Sequence, residues 1–455
     1  MKHCYSYLYI LTGLMVLPSC KKENKENNEK PNLIIILTDD QGAGDVHAYG
    51  GKDLTTPNMD QLIDDGVKFT RFYVGSAICS PSRACILTGR TPHSAGVPGN
   101  VSSIPGTNGM PTEQITIAEM MKKAGYATAQ IGKWHLGHSG EHLPLAQGFD
   151  YSFGHMGGCI DNYSHYFYWN GPNRHDLWEN GNEIFYEGEF FPDLMSEKAE
   201  SYIRKHEKEP FFLYYAINVP HYPLQPTKKW RDYYSDMEMP RRDYAAFVST
   251  ADENIGKLLD ILDELEIRDN TIIIFMSDHG NSYEARTFGG GGSSGPFRGG
   301  KFSLFDGGIR VPATISWNGI IPKGVVRNQV VHSIDILPTV ASLCKIEEIP
   351  DSAEGIDISG AIINNDPLKS RVLHWKLHNQ WAVMNDNWKL IGNPIDPSGA
   401  NPIDKTKDRM FLSNMLNDST ETINLAEKYP EKVEELLVEY FKWAHSSVED
   451  TLQAK

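Results

Sequence analysis

Apolar residues in this chain gather into short runs, each followed at once by charged or polar residues. Pro31 to Leu37, Phe211 to Ile217 and Thr271 to Met276 are such runs, and Tyr126 to Ile131 reads as a further strand. A run of Leu, Ile and Phe without alternation marks a strand covered on both faces, as in a parallel sheet. Between Asp243 and Leu265 the pattern changes: Phe247, Ile255, Leu258, Leu259, Leu262 and Leu265 fall at helical spacing. Thr116-Ile117-Ala118-Glu119 is a capping box opening a second helix that Gly125 stops. Strands alternating with helices predict an α/β protein with a large, mostly parallel sheet flanked by helices. The polar clusters stand at strand ends: Asp39 and Asp40, Lys133 and His135, His221, and Asp278. Ligands of open α/β sheets bind there, so these distant residues are expected to converge. Past Lys345 the texture shifts to short strands, Arg371 to Leu377 and Gln380 to Ile391, and an amphipathic helix, Lys428 to His445. The expectation is a main domain over 31–345 and a smaller α+β subdomain over 346–455.

Composition narrows the partners. With 455 residues, 40% of them hydrophobic, the chain can bury a large core in two or more domains. A formal charge of -16 argues against nucleic acid as a partner. It also requires any site for an anion to concentrate cations locally. The amino end reads as a processing segment. Met1-Lys2-His3 is basic, Tyr5 to Leu17 is apolar but too short to span a bilayer, and Leu17-Pro18-Ser19-Cys20 resembles a bacterial lipobox. Residues 1–20 are thus expected to be a lipoprotein signal peptide with Cys20 lipidated. Residues 21–30, with no apolar residue, read as a tether to a membrane in the periplasm or at the cell surface. Of six cysteines, Cys4 would leave with the leader and Cys20 would carry lipid, and the spacing of the rest suggests neither a zinc knuckle nor a disulfide framework.

One of those remaining cysteines stands in a chemical setting: Cys79-Ser80-Pro81-Ser82-Arg83, followed by Thr88-Gly89. Pro81 suits the first turn of a helix, so Cys79 is expected at a helix start, where the dipole and free N–H groups favour an oxyanion. Cys, any, Pro, any, Arg, four residues, Thr-Gly resembles the signature of the formylglycine-dependent sulfatases, of alkaline phosphatase-like fold. The other motifs occur in that family's order: Gly132-Lys133-Trp134-His135-Leu136-Gly137, Val219-Pro220-His221-Tyr222-Pro223, and Lys301 after Gly299-Gly300. The resemblance covers roughly Pro31 to His445.

The resemblance implies that a maturation enzyme oxidises Cys79 to formylglycine, whose hydrate is the nucleophile. It implies Ca²⁺ bound by Asp39, Asp40, Asp278, His279 and residue 79. Many relatives carry Asn where His279 stands, and imidazole is a less typical calcium ligand. It further implies that Lys133 and Lys301 bind sulfate, that Arg83 supports the nucleophile, that His221 protonates the leaving alcohol and that His135 acts as a base. The layout resembles Bacteroidota lipoprotein carbohydrate sulfatases, which implies an exo-acting enzyme on sulfated carbohydrates. The segment from His155 to Trp178 is dense in polar and aromatic residues. Asp161, Asn162, His165, Arg174 and His175 are its candidates for sugar binding. Two alternatives stand beside this reading: a phosphonate or phosphodiester hydrolase of the same superfamily, and a non-catalytic lipoprotein that binds sulfated glycans.

Overall fold

The computed structural model describes residues 1–3, 30–169 and 173–453. Most of the leader, Cys20 and most of the tether lie outside the described residues.

A ten-stranded sheet forms the centre. Its five middle strands are β1 (Asn32–Thr38), β2 (Ala127–Lys133), β3 (Tyr151–His155), β4 (Phe211–Ala216) and β5 (Thr271–Ser277). They lie side by side in the order β5-β1-β4-β2-β3, all parallel. The edges differ from the middle. Ala313–Ser316 pairs antiparallel with β5, and Trp178–Glu179 antiparallel with β3. The sheet is therefore mixed, with its parallel part where the apolar runs are longest. Every residue of β1 is buried. Leu33, Ile35 and Leu37 enter the core on one face, Ile34 and Ile36 the core on the other. Burial on both faces removes the alternation a half-exposed strand would show.

Helices cover both faces. Pro57–Asp64, Phe191–Lys205 and Arg241–Glu264 pack on the face of Ile34 and Ile36. Cys79–Thr88, Ile117–Lys123 and Ile336–Leu343 pack on the other. The Thr116 box forms as its sequence dictates: Thr116 Oγ accepts from Glu119 N–H, and the Glu119 carboxylate accepts from Thr116 N–H at 2.7 Å.

A second sheet of four antiparallel strands follows: β6 (Val372–Leu377), β7 (Gln380–Asn385), β8 (Trp388–Gly392) and β9 (Met410–Asn414). One face, through Leu373, Trp375 and Leu377, joins the main core. The other, through Val383, Leu390 and Leu412, is covered by Leu436 and Tyr440 of the helix Pro430–Gln453. Among the described residues no helix is long and apolar enough to cross a membrane.

Candidate active site

The strand order reverses around β1, with β4 and β5 on its two sides, and the loops at these strand ends open onto one point. Asp39 and Asp40 follow β1, Lys133 ends β2, His221 follows β4 and Asp278 follows β5. The helix Cys79–Thr88 is buried along its whole length and delivers Cys79 to this point as its first residue. Gly89, at φ 65°, ends it in a left-handed cap whose N–H donates to Cys85 O at 3.0 Å.

The expected free amides at this helix start are only partly there. Ser80 N–H donates to Asn100 Oδ1 at 3.0 Å, Ser82 N–H to Ile78 O at 3.3 Å, and Pro81 has none. The positive charge comes instead from side chains. Lys133 Nζ lies 2.7 Å from Asp39 Oδ2, and Lys301 Nζ 2.9 Å from Asp40 Oδ2. Arg83 Nη2 sits 3.0 Å from Asp278 Oδ2 and 3.2 Å from Asp39 Oδ1. Cys79 Sγ lies 3.3 Å from His279 Nε2. His221 donates Nδ1–H to Tyr222 O at 2.8 Å, leaving Nε2 3.3 Å from Lys301 Nζ. His135 comes near Cys79 and packs so closely on Gly158 that a Cβ there would lie 3.0 Å from its Cε1.

These groups set one another's charge. Burial favours a protonated Asp39, but Lys133, His221 and Arg83 together outweigh it and hold the carboxyl below the usual range. Burial pushes Asp278 up to about 7, against the pull of His279 and Arg83. Burial also opposes charge on His279, yet Asp278 and Cys79 raise it to about 9. The Cys79 thiol is brought well below its ordinary value, because Lys133, Lys301 and His279 together overcome burial. Burial, helped by Lys133 and Arg83, lowers His135 against the pull of Cys79 and favours its neutral form.

Donor atoms of Asp39, Cys79, Asp278 and His279 lie within 4.8 Å of one another, as do those of Asp39, Asp40, Cys79 and His221. His279 Nε2 is also 3.3 Å from Asp40 Oδ1, so the four side chains expected to hold a metal stand together.

The glycines before Lys301 serve close packing. A Cβ on Gly300 would meet Asn281 O at 2.6 Å, and Lys301 N–H donates to that same oxygen at 2.9 Å. The second sheet braces this loop. Gln380 Nε2 donates to Phe302 O at 2.8 Å, and Arg298 Nε meets Asp396 Oδ2 at 2.9 Å. Lys389 Nζ, fully buried, lies 2.7 Å from Asp306 Oδ1 and 3.1 Å from Glu421 Oε1.

A cleft of about 370 Å³ leads from Cys79, His135, His221 and Lys301 to the surface. Of the five sugar-binding candidates, Arg174 lines it. The other four are outside its lining and bond within and beside the loop: Asp161 accepts from Ser164 N–H, Asn162 from Asn218, His165 meets Glu189 O, and His175 pairs with Glu183. Glu284 and Arg286 line the cleft without having been singled out in the sequence. They follow β5 by several residues and belong to no motif, so only the folded chain brings them to the site.

The family model described as Sulfatase matches residues 31–346. An N-acetylgalactosamine-6-O-sulfatase of Bacteroides thetaiotaomicron is 31% identical, over 96% of this chain and 98% of that protein. Arylsulfatase J of Mus musculus is 32% identical, over 90% of this chain and 75% of its own. The crystal structure of Ps i-CgsB superposes with a TM-score of 0.81 at 29% identity, covering 91% of this chain and 93% of that one. Its complex with k-i-k-neocarrahexaose matches with the same TM-score at 30% identity.

Proposed function

The chain belongs to the sulfatase family, a sulfuric ester hydrolase of alkaline phosphatase-like fold, and from that premise we propose that it removes sulfate from sulfated carbohydrates with formylglycine made from Cys79. The observation that carries this reading is Cys79 at a buried helix start, with Lys133, Lys301, His135 and His221 around the cleft floor. A relative named for N-acetylgalactosamine 6-O-sulfate and a neighbour solved with neocarrahexaose support a sugar as the leaving group. N-acetylgalactosamine 6-sulfate at a chain end is the first substrate to try.

A calcium ion fits the donor set. Three carboxylates, Asp39, Asp40 and Asp278, are buried side by side, and hard cations take oxygen ligands. Burial pushes Asp278 to about 7, so a cation beside it would favour its ionised form. Asp39, Asp40, Asp278 and His279 would hold the ion, which supplies positive charge to the sulfate oxygens and acidity to a bound hydroxyl. Cys79, oxidised by a maturation enzyme, would supply the hydroxyl nucleophile in place of Sγ and a second hydroxyl for its own regeneration.

The remaining chemistry belongs to the other side chains. Lys133 and Lys301, both buried, offer fixed cations to an entering anion, and buried charges act strongly. Arg83 holds Asp39 and Asp278 in place. The Nδ1–H bond to Tyr222 O orients His221, so that Nε2–H of its protonated form can donate to the departing alcohol oxygen. A sugar alcohol leaves poorly as an alkoxide, so this proton carries much of the rate. Neutral His135 accepts a proton from the second hydroxyl. The leader supports a location in the periplasm or at the cell surface, with Cys20 lipidated.

Protein co-expressed with a formylglycine-generating enzyme should release sulfate from N-acetylgalactosamine 6-sulfate, and Cys79→Ala should release none. Calcium should raise the melting temperature even of protein that has not been matured, and Asp40→Asn should abolish that rise. No release by matured protein from any sulfated sugar or aryl sulfate would sink the reading.

A further inference from the structure

One wall of the cleft is a row of three rings ending in two guanidinium groups. Phe167 and Trp169 meet at 5.8 Å between centroids, Trp169 and Tyr222 at 5.4 Å. Arg174 lies over Phe167 at 4.2 Å, and Arg286 over Tyr222 at 4.7 Å. All five residues line the same cleft as Cys79.

The two arginines are not needed by the reaction described above. Arg286 is held by Glu284, whose Oε1 accepts Nε–H at 2.8 Å. Among the described residues Arg174 has no ion pair or hydrogen bond, and its Nε and Nη2 are buried without a partner. Such an arrangement is costly for a guanidinium, whose planar donor edge matches a carboxylate or sulfate. Burial lowers the pKa of Arg174, while Arg286, beside Tyr222 and paired with Glu284, is raised despite burial. The aromatic row between them suits the face of a sugar ring.

We propose that Arg174 and Arg286 form a second anion subsite, which reads a carboxylate or a further sulfate on the sugar beside the ester being cleaved. This rests on the sulfatase reading of the same cleft and adds that the substrate is multiply anionic. The phenyl face of Phe167 positions Arg174, and Glu284 positions Arg286 while tempering the positive charge of the wall. Lys133 and Lys301 remain with the sulfate that reacts.

The test uses matured full-length enzyme and three probes: N-acetylgalactosamine 6-sulfate, its 4,6-disulfate, and the 6-sulfated sugar linked to a uronic acid. kcat/KM should exceed that of the first probe by about tenfold or more for at least one of the others. Preference for the disulfate identifies the second sulfate as the ligand, preference for the uronide the carboxylate. Arg174→Gln and Arg286→Gln should remove that preference, chiefly through KM, and leave the first probe within about twofold. The preference should also shrink with added salt. Equal rates on all three probes would overturn the subsite while leaving the sulfatase reading intact. So would variants that lose activity on all probes alike. Release from none of the probes, with hydrolysis of an aryl sulfate retained, would reject N-acetylgalactosamine 6-sulfate as the reacting sugar and the subsite read beside it, and leave the sulfatase reading standing.

Discussion

Asp40 and His135 both adopt left-handed backbone, at φ 64° and 57°. Asp and His tolerate this region better than branched residues, but it is sparsely populated and tends to persist where the surroundings over-determine it. Here the surroundings can be named: Asp40 N–H donates to Asp278 Oδ1 at 3.1 Å, and His135 O accepts from Ser80 Oγ at 2.7 Å. Asp40 reaches Lys301 and His279 from this kink, and His135 lines the cleft. His135 is further confined by Gly158, so Gly158→Ala should displace the imidazole without touching the core. We expect kcat to fall by at least tenfold with the melting temperature within a few degrees of wild type, read by steady-state kinetics and calorimetry. These residues were legible in the sequence because each sits in a short motif beside a strand end. Arg286 and Glu284 were not, since nothing local distinguishes a charged loop residue that faces a cleft from one that faces water. Asp161, Asn162, His165 and His175 show the converse. Polar residues in a long loop mostly satisfy the loop's own backbone, and composition cannot tell that use from ligand binding.

At the scale of elements, the strands buried on both faces announced themselves, and the edges did not. β1, β4 and β5 are long apolar runs, whereas Ala313–Ser316 and Gly66–Phe69 have four residues each and too little pattern to read. Their antiparallel pairing turns the expected, mostly parallel sheet into a mixed one. The capping box was legible because its signal is purely local. Thr116→Ala should cost about 1 kcal/mol of stability and leave activity unchanged, measurable by denaturant titration. The brace behind Lys301 was not legible, since it joins Arg298 and Asp306 to residues about a hundred positions onward. Lys389→Met tests it. Glu421 would be left buried without its cation and Asp306 with Arg310 alone, a loss of about 3 kcal/mol. Because Gln380 and Asp396 hold the same loop, the surviving folded fraction should show a raised KM.

For the whole molecule, acid is the sensitive direction that can be isolated most cleanly. Burial lowers His155 and His332 to about 3, and His165 and His374 to about 4, from 6.5 in an unfolded chain. A depressed histidine contributes stability that is complete above pH 6.5 and lost as pH falls towards its folded value, because the unfolded state then binds more protons. Asp252 at about 6 and Glu421 at about 7, raised by burial, act in the opposite sense. The histidine part is therefore best seen as a difference. The stability advantage of wild type over His332→Asn should narrow below pH 6.5, by at most about 1.4 kcal/mol per pH unit. An advantage that stays constant down to pH 4.5 would contradict it. The pairing of β1 with β5 sets Asn32 beside Thr271, and this governs time as well as space. A chain emerging amino end first offers β1 long before the strand that covers one of its edges has been made. Cys79, whose side chain is finally 2% exposed at the bottom of a cleft, lies open throughout that delay. A small reagent can follow the cleft into the finished fold, but another protein's active site cannot. On the maturation of Cys79 proposed above, the enzyme that carries it out has to finish before the sheet closes, so the rate of closure would set the fraction of chains that become active.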